Sequence, residues 1–434
     1  MRSNVRSLRP EAGDICRILP RILFAELAVI FLLLFFSHGE LSGVFFFNNP
    51  DDVESGFSYR DVGMDFFNSI ATVAGGDPYG KFQSNYPPLA SLFFLLTERF
   101  LPIEVSAALA EAPPVAGYIR GGELDLRTYQ QPMLLFLLFC AMFFIGFYAV
   151  ISRYLGERAH AKSFAAACCL SHGVLFAAER GNLMLLALLG SMIFLAYYDS
   201  ETRWKSELAL LALAAAAGLK LYPAIFGLLL LREKRWGQAL RTILYGVALF
   251  LLPMLPFGGV RAIGEYLGCL LSFSETHNPA CNYGLPIISS LVGSCVSRLF
   301  GLDRAAIHGA VSAVVTGITV LLLALGVLKS EKRWEQCLYL SAAVVLLQPS
   351  DTYTLAFYLL PLVLMAREEG KIGNCRYGFF VLLPLVLWLP LVRPAARYYL
   401  TVSAIAAMLA QGAIVLKALL TAAGRFRAGK RTAG

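Results

Sequence analysis

The stretch PMLLFLLFCAMFFIGFYAVIS, residues 132–152, decides the class of fold, because it holds no charged side chain and is long enough to cross a bilayer as one helix. Of the 434 residues, 58% are hydrophobic and only 15% are charged, against roughly 25% charged in soluble domains. A soluble globule is therefore excluded in favour of a chain whose solvent is the lipid bilayer, where backbone polar groups must pair within helices.

Reading outward from this stretch in both directions gives twelve candidate transmembrane helices. They lie at 22–37, 132–152, 163–178, 183–198, 206–217, 221–232, 240–257, 307–328, 335–348, 353–366, 377–393 and 399–422. We predict an all-α polytopic membrane protein with a single transmembrane domain over residues 1–434. Two further apolar pieces, 87–102 and 285–300, are interpreted as re-entrant or interfacial, because counting either alone as a span would move all later basic loops to the other side.

The basic residues indicate the orientation. With this assignment the inner segments, together with the inner ends of the adjoining helices, hold 25 of the 37 Lys and Arg residues, whereas 17 of the 29 Asp and Glu residues lie in outer segments. This asymmetry follows the positive-inside rule, so both termini are expected in the cytoplasm and the chain in the plasma or inner membrane. The net charge of +8 then describes topology, and no nucleic-acid partner is expected.

The longest outer segment, 38–131, carries candidate acid–base groups. Asp61 and Asp65 are four residues apart, so a helix would place both carboxylates on one face. Repulsion between them would raise the pKa of one toward the range of a general base. The flanking Met64, Phe66 and Phe67 favour an amphipathic interfacial helix, although a solvated acidic loop is the alternative.

Aromatic residues follow in the same outer segment. Tyr79 ends the stretch Gly-Gly-Asp-Pro-Tyr, and Tyr86 precedes two prolines at the start of the 87–102 piece. Both rings could stack on a sugar close to the carboxylates. The alternative is an ordinary helix entry, since proline fits the free N–H positions of a first helical turn.

Two cations interrupt apolar stretches on the same predicted face. Arg180 lies in the tight hairpin Glu-Arg-Gly-Asn that ends at Asn182, and Lys220 precedes Tyr222 in Leu-Lys-Leu-Tyr-Pro. Each could extend its charge to the interface, but together beside carboxylates they suggest a phosphate clamp. His277 and Asp351, in two polar outer breaks, are weaker candidates. Asp351 is first of all a helix N-cap.

Neither a metal nor a nucleotide cofactor is expected. The sequence contains no phosphate-binding loop of the GxxxxGK[ST] type, no GxGxxG in a strand–helix context and no HExxH. Its cysteines form no CxxC pair that would suggest a zinc site.

The order of these motifs resembles glycosyltransferase family 87, whose members are multispanning enzymes of the C-type glycosyltransferase fold. The resemblance covers about residues 48–236 and rests on the outer-loop acid, G-x-D-P-Y, Y-P-P-L, R-G-N and L-K-x-Y-P. It implies a polyprenyl-phosphate sugar donor, commonly mannose, and a lipid or glycan acceptor on the outer face.

The resemblance also implies roles for individual residues. Asp65, or Asp61 one turn earlier, would be the base of an inverting transfer, and Arg180 and Lys220 would contact the donor phosphate. The remaining candidates would line the substrate site: Tyr79, Tyr86, Asn182, Tyr222, His277 and Asp351. Two other functions stay open, namely transport of lipid-linked sugars and a polysaccharide polymerase or ligase with a lipid-diphosphate donor.

Overall fold

A computed structural model describes residues 13–38, 41–45, 62–112, 124–275, 283–347, 352–391 and 401–424, and no strand occurs in these ranges. Their α-helices are α1 Ile15–Phe36, α2 Ser42–Phe45, α3 Met64–Val73, α4 Pro88–Glu98, α5 Ile103–Glu111, α6 Gln130–Leu155, α7 Ala161–Cys169, α8 His172–Arg180, α9 Met184–Tyr197, α10 Arg203–Leu219, α11 Leu228–Arg232, α12 Trp236–Leu251, α13 Val260–Glu275, α14 Leu285–Phe300, α15 Arg304–Lys329, α16 Arg333–Leu346, α17 Leu359–Glu368, α18 Ile372–Val386 and α19 Val402–Ala422. Short 3₁₀ helices lie at Leu126–Thr128, Tyr222–Gly227, Leu252–Phe257 and Thr352–Tyr358.

The all-helical prediction is confirmed for the described residues. Within them, five helices are long and apolar enough to cross a membrane: Ile15–Phe36, Gln130–Leu155, Trp236–Phe257, Ala306–Lys329 and Val402–Ala422. A sixth span results if α7 and α8, bent by 48° at their junction, cross together. The number of twelve crossings stays a prediction, because the other apolar helices are shorter than a perpendicular span requires.

Several predicted continuous helices are in fact broken. The 163–178 run bends between α7 and α8, and the 221–232 run begins with the 3₁₀ turns that contain Pro223. The 353–366 run likewise opens as the 3₁₀ helix Thr352–Tyr358 before α17. Such breaks expose backbone groups, and they are tolerated inside a bundle because neighbouring helices can cover them.

The short helices form the interior of the bundle. α9 and α16 have 14 residues each, and nearly every side chain of α16 is buried. A helix that is surrounded by other helices does not have to match the thickness of the bilayer by itself. This burial accounts for helices that are apolar on all sides but short.

The segments predicted to share the inner face lie together at one end of the bundle, named the basic end. Backbone N–H of Ile15 donates to Gly370 O at 3.0 Å, and Arg333 pairs with Asp199 at 2.7 Å. Further contacts join the remaining inner segments: Arg158 to Arg367, Tyr198 to Glu233, Arg232 to Ser330, Lys332 to Glu369 and Lys417 to Glu335. These contacts bring the segments and the adjoining helix ends together at one end of the bundle, and the side of the membrane that this end faces stays a prediction.

The opposite end of the bundle, named the site end, is reached by α9 and α10. α9 leaves the site end after Asn182 and ends beside Tyr198 at the basic end, and α10 returns to Lys220. The hairpin between α8 and α9, the C-terminus of α10 and helix α3 thus meet at the site end.

Candidate functional site

Asp65 lies in the first turn of α3 and is held by the hairpin between α8 and α9. Its Oδ1 accepts from Arg180 Nη2 at 2.8 Å and its Oδ2 from Arg180 Nε at 3.1 Å. Asn182 Nδ2 donates to Oδ2 at 2.7 Å. The two charged side chains are largely enclosed, with 17% of Asp65 and 26% of Arg180 exposed. Three of the predicted site residues are therefore brought together by direct hydrogen bonds.

The hairpin has a local reason for its shape. Gly181, at φ +68°, ends α8 in the left-handed conformation, and N–H of Asn182 and Gly181 donate to the carbonyls of Ala177 and Ala178. This is the Schellman pattern that glycine favours. Asn182 Oδ1 accepts from Met184 N–H at 2.9 Å, which fixes its amide so that Nδ2 faces Asp65.

Packing under Asp65 sets the position of α3. The Phe66 ring contacts Phe94, Phe136 and Phe139 at centroid distances of 5.8, 5.6 and 5.4 Å. A Cβ added to Gly181 would lie 2.6 Å from Phe66 Cβ, so only glycine allows the hairpin to approach α3 this closely. Gly63 N–H donates to Glu179 O at 2.7 Å and joins the two elements through their backbones as well.

The pKa of Asp65 differs from the sequence expectation. Burial alone raises the pKa of this carboxyl group, but the charge of Arg180 and the hydrogen bonds from Arg180 and Asn182 outweigh it, and the pKa lies below its ordinary value. The upward shift expected for one of the two carboxyl groups is not found at Asp65, because a bidentate cation stabilises its charged form. Asp61 lies outside the described residues.

Lys220 supplies a second cation beside Asp65. Its Nζ lies 4.1 Å from the centroid of the Tyr86 ring, and within the described ranges it makes no ion pair. Burial lowers the pKa of the Lys220 ammonium to about 8, although the charge of Asp65 opposes this shift. Lys220 is thus a desolvated cation that is available to an anionic ligand.

Tyr86 and Tyr222 border the same space. Burial raises the pKa of the Tyr86 hydroxyl, with the charge of Asp65 acting in the same direction and the Ser69 hydroxyl of α3 opposing it. The Tyr222 ring packs edge-on against Phe357 at 5.4 Å. Gly218 allows the end of α10, which precedes Tyr222, to lie close to α4, because a Cβ at this position would lie 2.9 Å from the Leu89 side chain.

Two buried polar atoms near Asp65 have no hydrogen-bond partner in the part of the chain that the structure describes. They are Asn68 Oδ1 and Tyr222 Oη. Asn68 was not among the sequence-predicted residues, although its spacing of three from Asp65 places it on the same helix face. Buried polar atoms are normally paired, so a hydroxyl-bearing ligand is a natural partner for both.

The other predicted residues are placed elsewhere or not described. Tyr79 is 2% exposed, donates to Ser91 Oγ at 2.9 Å and packs against Tyr266 and Phe257; no described contact joins it to Asp65. His277 and Asp351 lie outside the described residues. Next to those two gaps, the hydroxyls of Tyr283 and Thr352 are hydrogen-bonded at 2.8 Å.

Residues 85–349 match the family model for glycosyltransferase family 87. The chain belongs to this family. Its activity is therefore the transfer of a sugar from a donor to an acceptor. The match includes Tyr86, Arg180, Asn182, Lys220 and Tyr222 but begins after Asp65, and it extends further toward the C-terminus than the motifs had indicated. No curated protein and no solved structure matches the chain.

Among the described residues of this family 87 chain, no three His, Cys, Asp or Glu side chains lie close enough to hold a metal ion. The charged groups that interact with one another around Asp65 are this carboxylate and the two cations Arg180 and Lys220. Residues 65 and 220 also interact electrostatically through the buried space between α3 and the end of α10.

Proposed function

We propose that this family 87 enzyme transfers a hexose, in the first instance mannose, from a polyprenyl-phosphate donor to a lipid or glycan acceptor. The reaction takes place on the outer face of the membrane and inverts the configuration at the anomeric carbon. The observation that carries the proposal is the charged Asp65 beside Lys220, a half-buried cation without an ion-pair partner in the described ranges. Membership of a glycosyltransferase family favours this reaction over transport of a lipid-linked sugar.

The proposed reaction needs one base and one stabilised leaving group. Asp65 accepts the proton of the acceptor hydroxyl while that oxygen forms its bond to the anomeric carbon. The bond from the anomeric carbon to the phosphate oxygen breaks, and its electron pair leaves with the polyprenyl phosphate. Lys220 stabilises the charge of this leaving phosphate, which a preorganised cation in a desolvated site does effectively.

Arg180 links donor binding to the strength of the base. While Arg180 is bound to Asp65, the lowered pKa makes the carboxylate a weak base. A donor phosphate within reach competes for the same guanidinium, since a planar guanidinium group binds either a phosphate or a carboxylate in bidentate fashion. Arg180 would then release Asp65 from part of its pairing, and the basicity of Asp65 would rise when the donor is present.

The unpaired polar atoms support a sugar ligand. Asn68 Oδ1 and Tyr222 Oη offer hydrogen-bond positions for sugar or acceptor hydroxyls, and the Tyr86 ring offers an apolar face. A site with a few fixed polar groups and aromatic walls is typical of small-molecule recognition.

The test is a transfer assay on the purified full-length protein in detergent or vesicles. Radiolabelled polyprenyl-phosphate mannose is compared with a nucleotide-activated mannose as donor, with a membrane lipid extract as acceptor. We expect label in a lipid or glycan product from the first donor only, and a loss of about 10²- to 10⁴-fold in Asp65→Asn.

Glu104→Gln is the matched control, because Glu104 is an exposed carboxylate in the same 38–131 segment. It should transfer like the wild type. Undiminished transfer by Asp65→Asn would remove the proposed base, and transfer from the nucleotide donor alone would remove the proposed donor class.

A further inference from the structure

A second polar space lies at the basic end, away from Asp65. A half-open cavity of about 450 Å³ is lined by the end of α15, the start of α16, and helices α18 and α19. Its charged lining residues are Lys329, Lys332, Arg376, Lys417, Glu331 and Glu335. Four cations therefore face two carboxylates around one cavity.

Internal pairing uses part of this charge. Lys417 Nζ pairs with Glu335 Oε1 at 2.8 Å, and Ser330 Oγ donates to Glu335 Oε2 at 2.6 Å. Lys332 is paired with Glu369, which is outside the cavity lining. Lys329 and Arg376 are exposed and form no ion pair within the ranges that the structure describes. Two cations at the cavity rim are thus left for an anion.

Aromatic side chains lie among the charged lining residues of the cavity. Trp334 is 2% exposed, and Lys417 Nζ lies 5.5 Å from its ring centroid and 5.3 Å from that of Tyr377. Two tryptophans at the same end of the bundle, Trp204 and Trp236, are each 64% exposed, as is typical of side chains at the membrane–water interface. The basic end, and the cavity in it, therefore lies near the depth of lipid headgroups.

Apolar side chains continue from the rim of the cavity onto the outer surface of the bundle. Leu328, Phe380 and Leu416 are 61%, 62% and 53% exposed, and each lies within three residues of a lining residue. In a bilayer these side chains contact acyl chains. A ligand that is anionic at one end and apolar at the other matches both surfaces at once.

We propose that this cavity binds the headgroup of an anionic phospholipid, with Lys329 and Arg376 contacting its phosphate and the acyl chains lying along Leu328, Phe380 and Leu416. Basic pockets between helices at a membrane surface are suited to such headgroups. The site is separate from the proposed sugar-transfer site, so either proposal can fail without the other.

The experiment measures lipid binding to the purified full-length protein by native mass spectrometry, with phosphatidylglycerol as the probe and phosphatidylcholine as the zwitterionic comparison. We expect one retained phosphatidylglycerol and weaker retention of phosphatidylcholine. The double variant Lys329→Gln/Arg376→Gln should bind phosphatidylglycerol about 10-fold more weakly or worse, because each cation near an anionic headgroup adds measurably to affinity.

The matched control is Lys162→Gln/Arg203→Gln, which removes two exposed cations from the same end of the bundle but not from the cavity. It should bind phosphatidylglycerol like the wild type. The proposal is overturned if the first double variant keeps wild-type affinity, if the control loses as much, or if the wild type retains both lipids equally.

Discussion

Asp65 and Arg180, which are 115 residues apart in the chain, form a two-point ion pair with N–O distances of 2.8 and 3.1 Å. This pair ties α3 to the hairpin between α8 and α9, and Asn182 adds a third hydrogen bond to the same carboxylate. The geometry keeps Asp65 charged and at a fixed place beside Lys220. It also means that any change to Arg180 acts on Asp65.

Replacing Arg180 should therefore change the pH dependence of the enzyme. In Arg180→Gln the main charge that lowers the pKa of Asp65 is gone, whereas the burial that raises it remains. We expect the acid limb of kcat/KM, which reports the free enzyme, to move to higher pH. At neutral pH, kcat/KM should fall by about 10- to 100-fold because a charged contact to the donor phosphate is also lost.

The control for this variant is Arg99→Gln, an exposed cation in the 38–131 segment. Its pH profile should match that of the wild type. An Arg180→Gln profile with an unmoved acid limb would show that Asp65 does not carry the essential deprotonated group.

The pKa of Lys220 leads to a prediction for the alkaline limb of the pH dependence of kcat/KM. Its pKa lies near 8, so the ammonium is charged below that pH and loses its proton above it. We expect kcat/KM of the wild type to fall above about pH 8, since only the charged form stabilises the leaving phosphate. Lys220→Arg should move this limb out of the measurable range, because the guanidinium stays charged.

The neutral variant Lys220→Gln completes this test. It should lose activity at every pH and show no alkaline limb near 8. An alkaline limb that is identical in the wild type and in Lys220→Arg would assign the titration to another group.

The stability of the hairpin depends on Gly181. Gly181→Ala combines a left-handed φ of +68° with a Cβ 2.6 Å from Phe66 Cβ. We expect a loss of about 2–4 kcal/mol in unfolding free energy, the sum of backbone strain and overpacking. Displacement of Arg180 and Asn182 should reduce transfer as well.

Gly76→Ala separates the two causes. Gly76 has a similar φ of +77°, but nothing lies within 4 Å of the added Cβ. Thermal unfolding in detergent should show a loss of only about 1 kcal/mol for this variant, with unchanged transfer. Equal losses in the two variants would mean that the contact with Phe66 does not hold the hairpin.

Much of the fold follows from local sequence, whereas the pairing at the site does not. Apolar runs predict the bounds of the long helices α1, α6, α15 and α19 to within a few residues, except at the N-terminus of α1. The prediction works because an uncharged run that crosses lipid has to pair its backbone groups within a helix. The break between α7 and α8, at Leu170 and Ser171, holds no proline or glycine itself, and Gly173 just beyond it packs against the backbone of Ala356. It depends on tertiary packing, which local patterns do not contain.

The same distinction applies to the candidate residues. Arg180 and Lys220 were identified because a cation in an apolar stretch is costly without a partner. That the partner of Arg180 is Asp65 required the folded chain, and this pairing lowers the pKa of Asp65. Tyr79 is close to Asp65 in the sequence, but in the structure it belongs to a separate aromatic cluster with Phe257 and Tyr266. Its hydroxyl donates to Ser91 in that region.

Tyr222 offers a test in which stability and activity should move in opposite directions. Its Oη is buried without a hydrogen-bond partner in the described part of the chain, so Tyr222→Phe removes a polar group that gains nothing in the free enzyme. We expect unfolding free energy to stay the same or rise by up to about 1 kcal/mol. If Oη binds a substrate hydroxyl, kcat/KM should nevertheless fall, by about 5- to 10-fold, for loss of one neutral hydrogen bond.

Tyr339→Phe is the matched control for this variant, because the Tyr339 hydroxyl is bonded to Thr421 at 3.2 Å in the half of the bundle near the basic end. It should lose stability and keep its activity. A Tyr222→Phe variant that is both less stable and fully active would assign Tyr222 to packing and not to substrate binding.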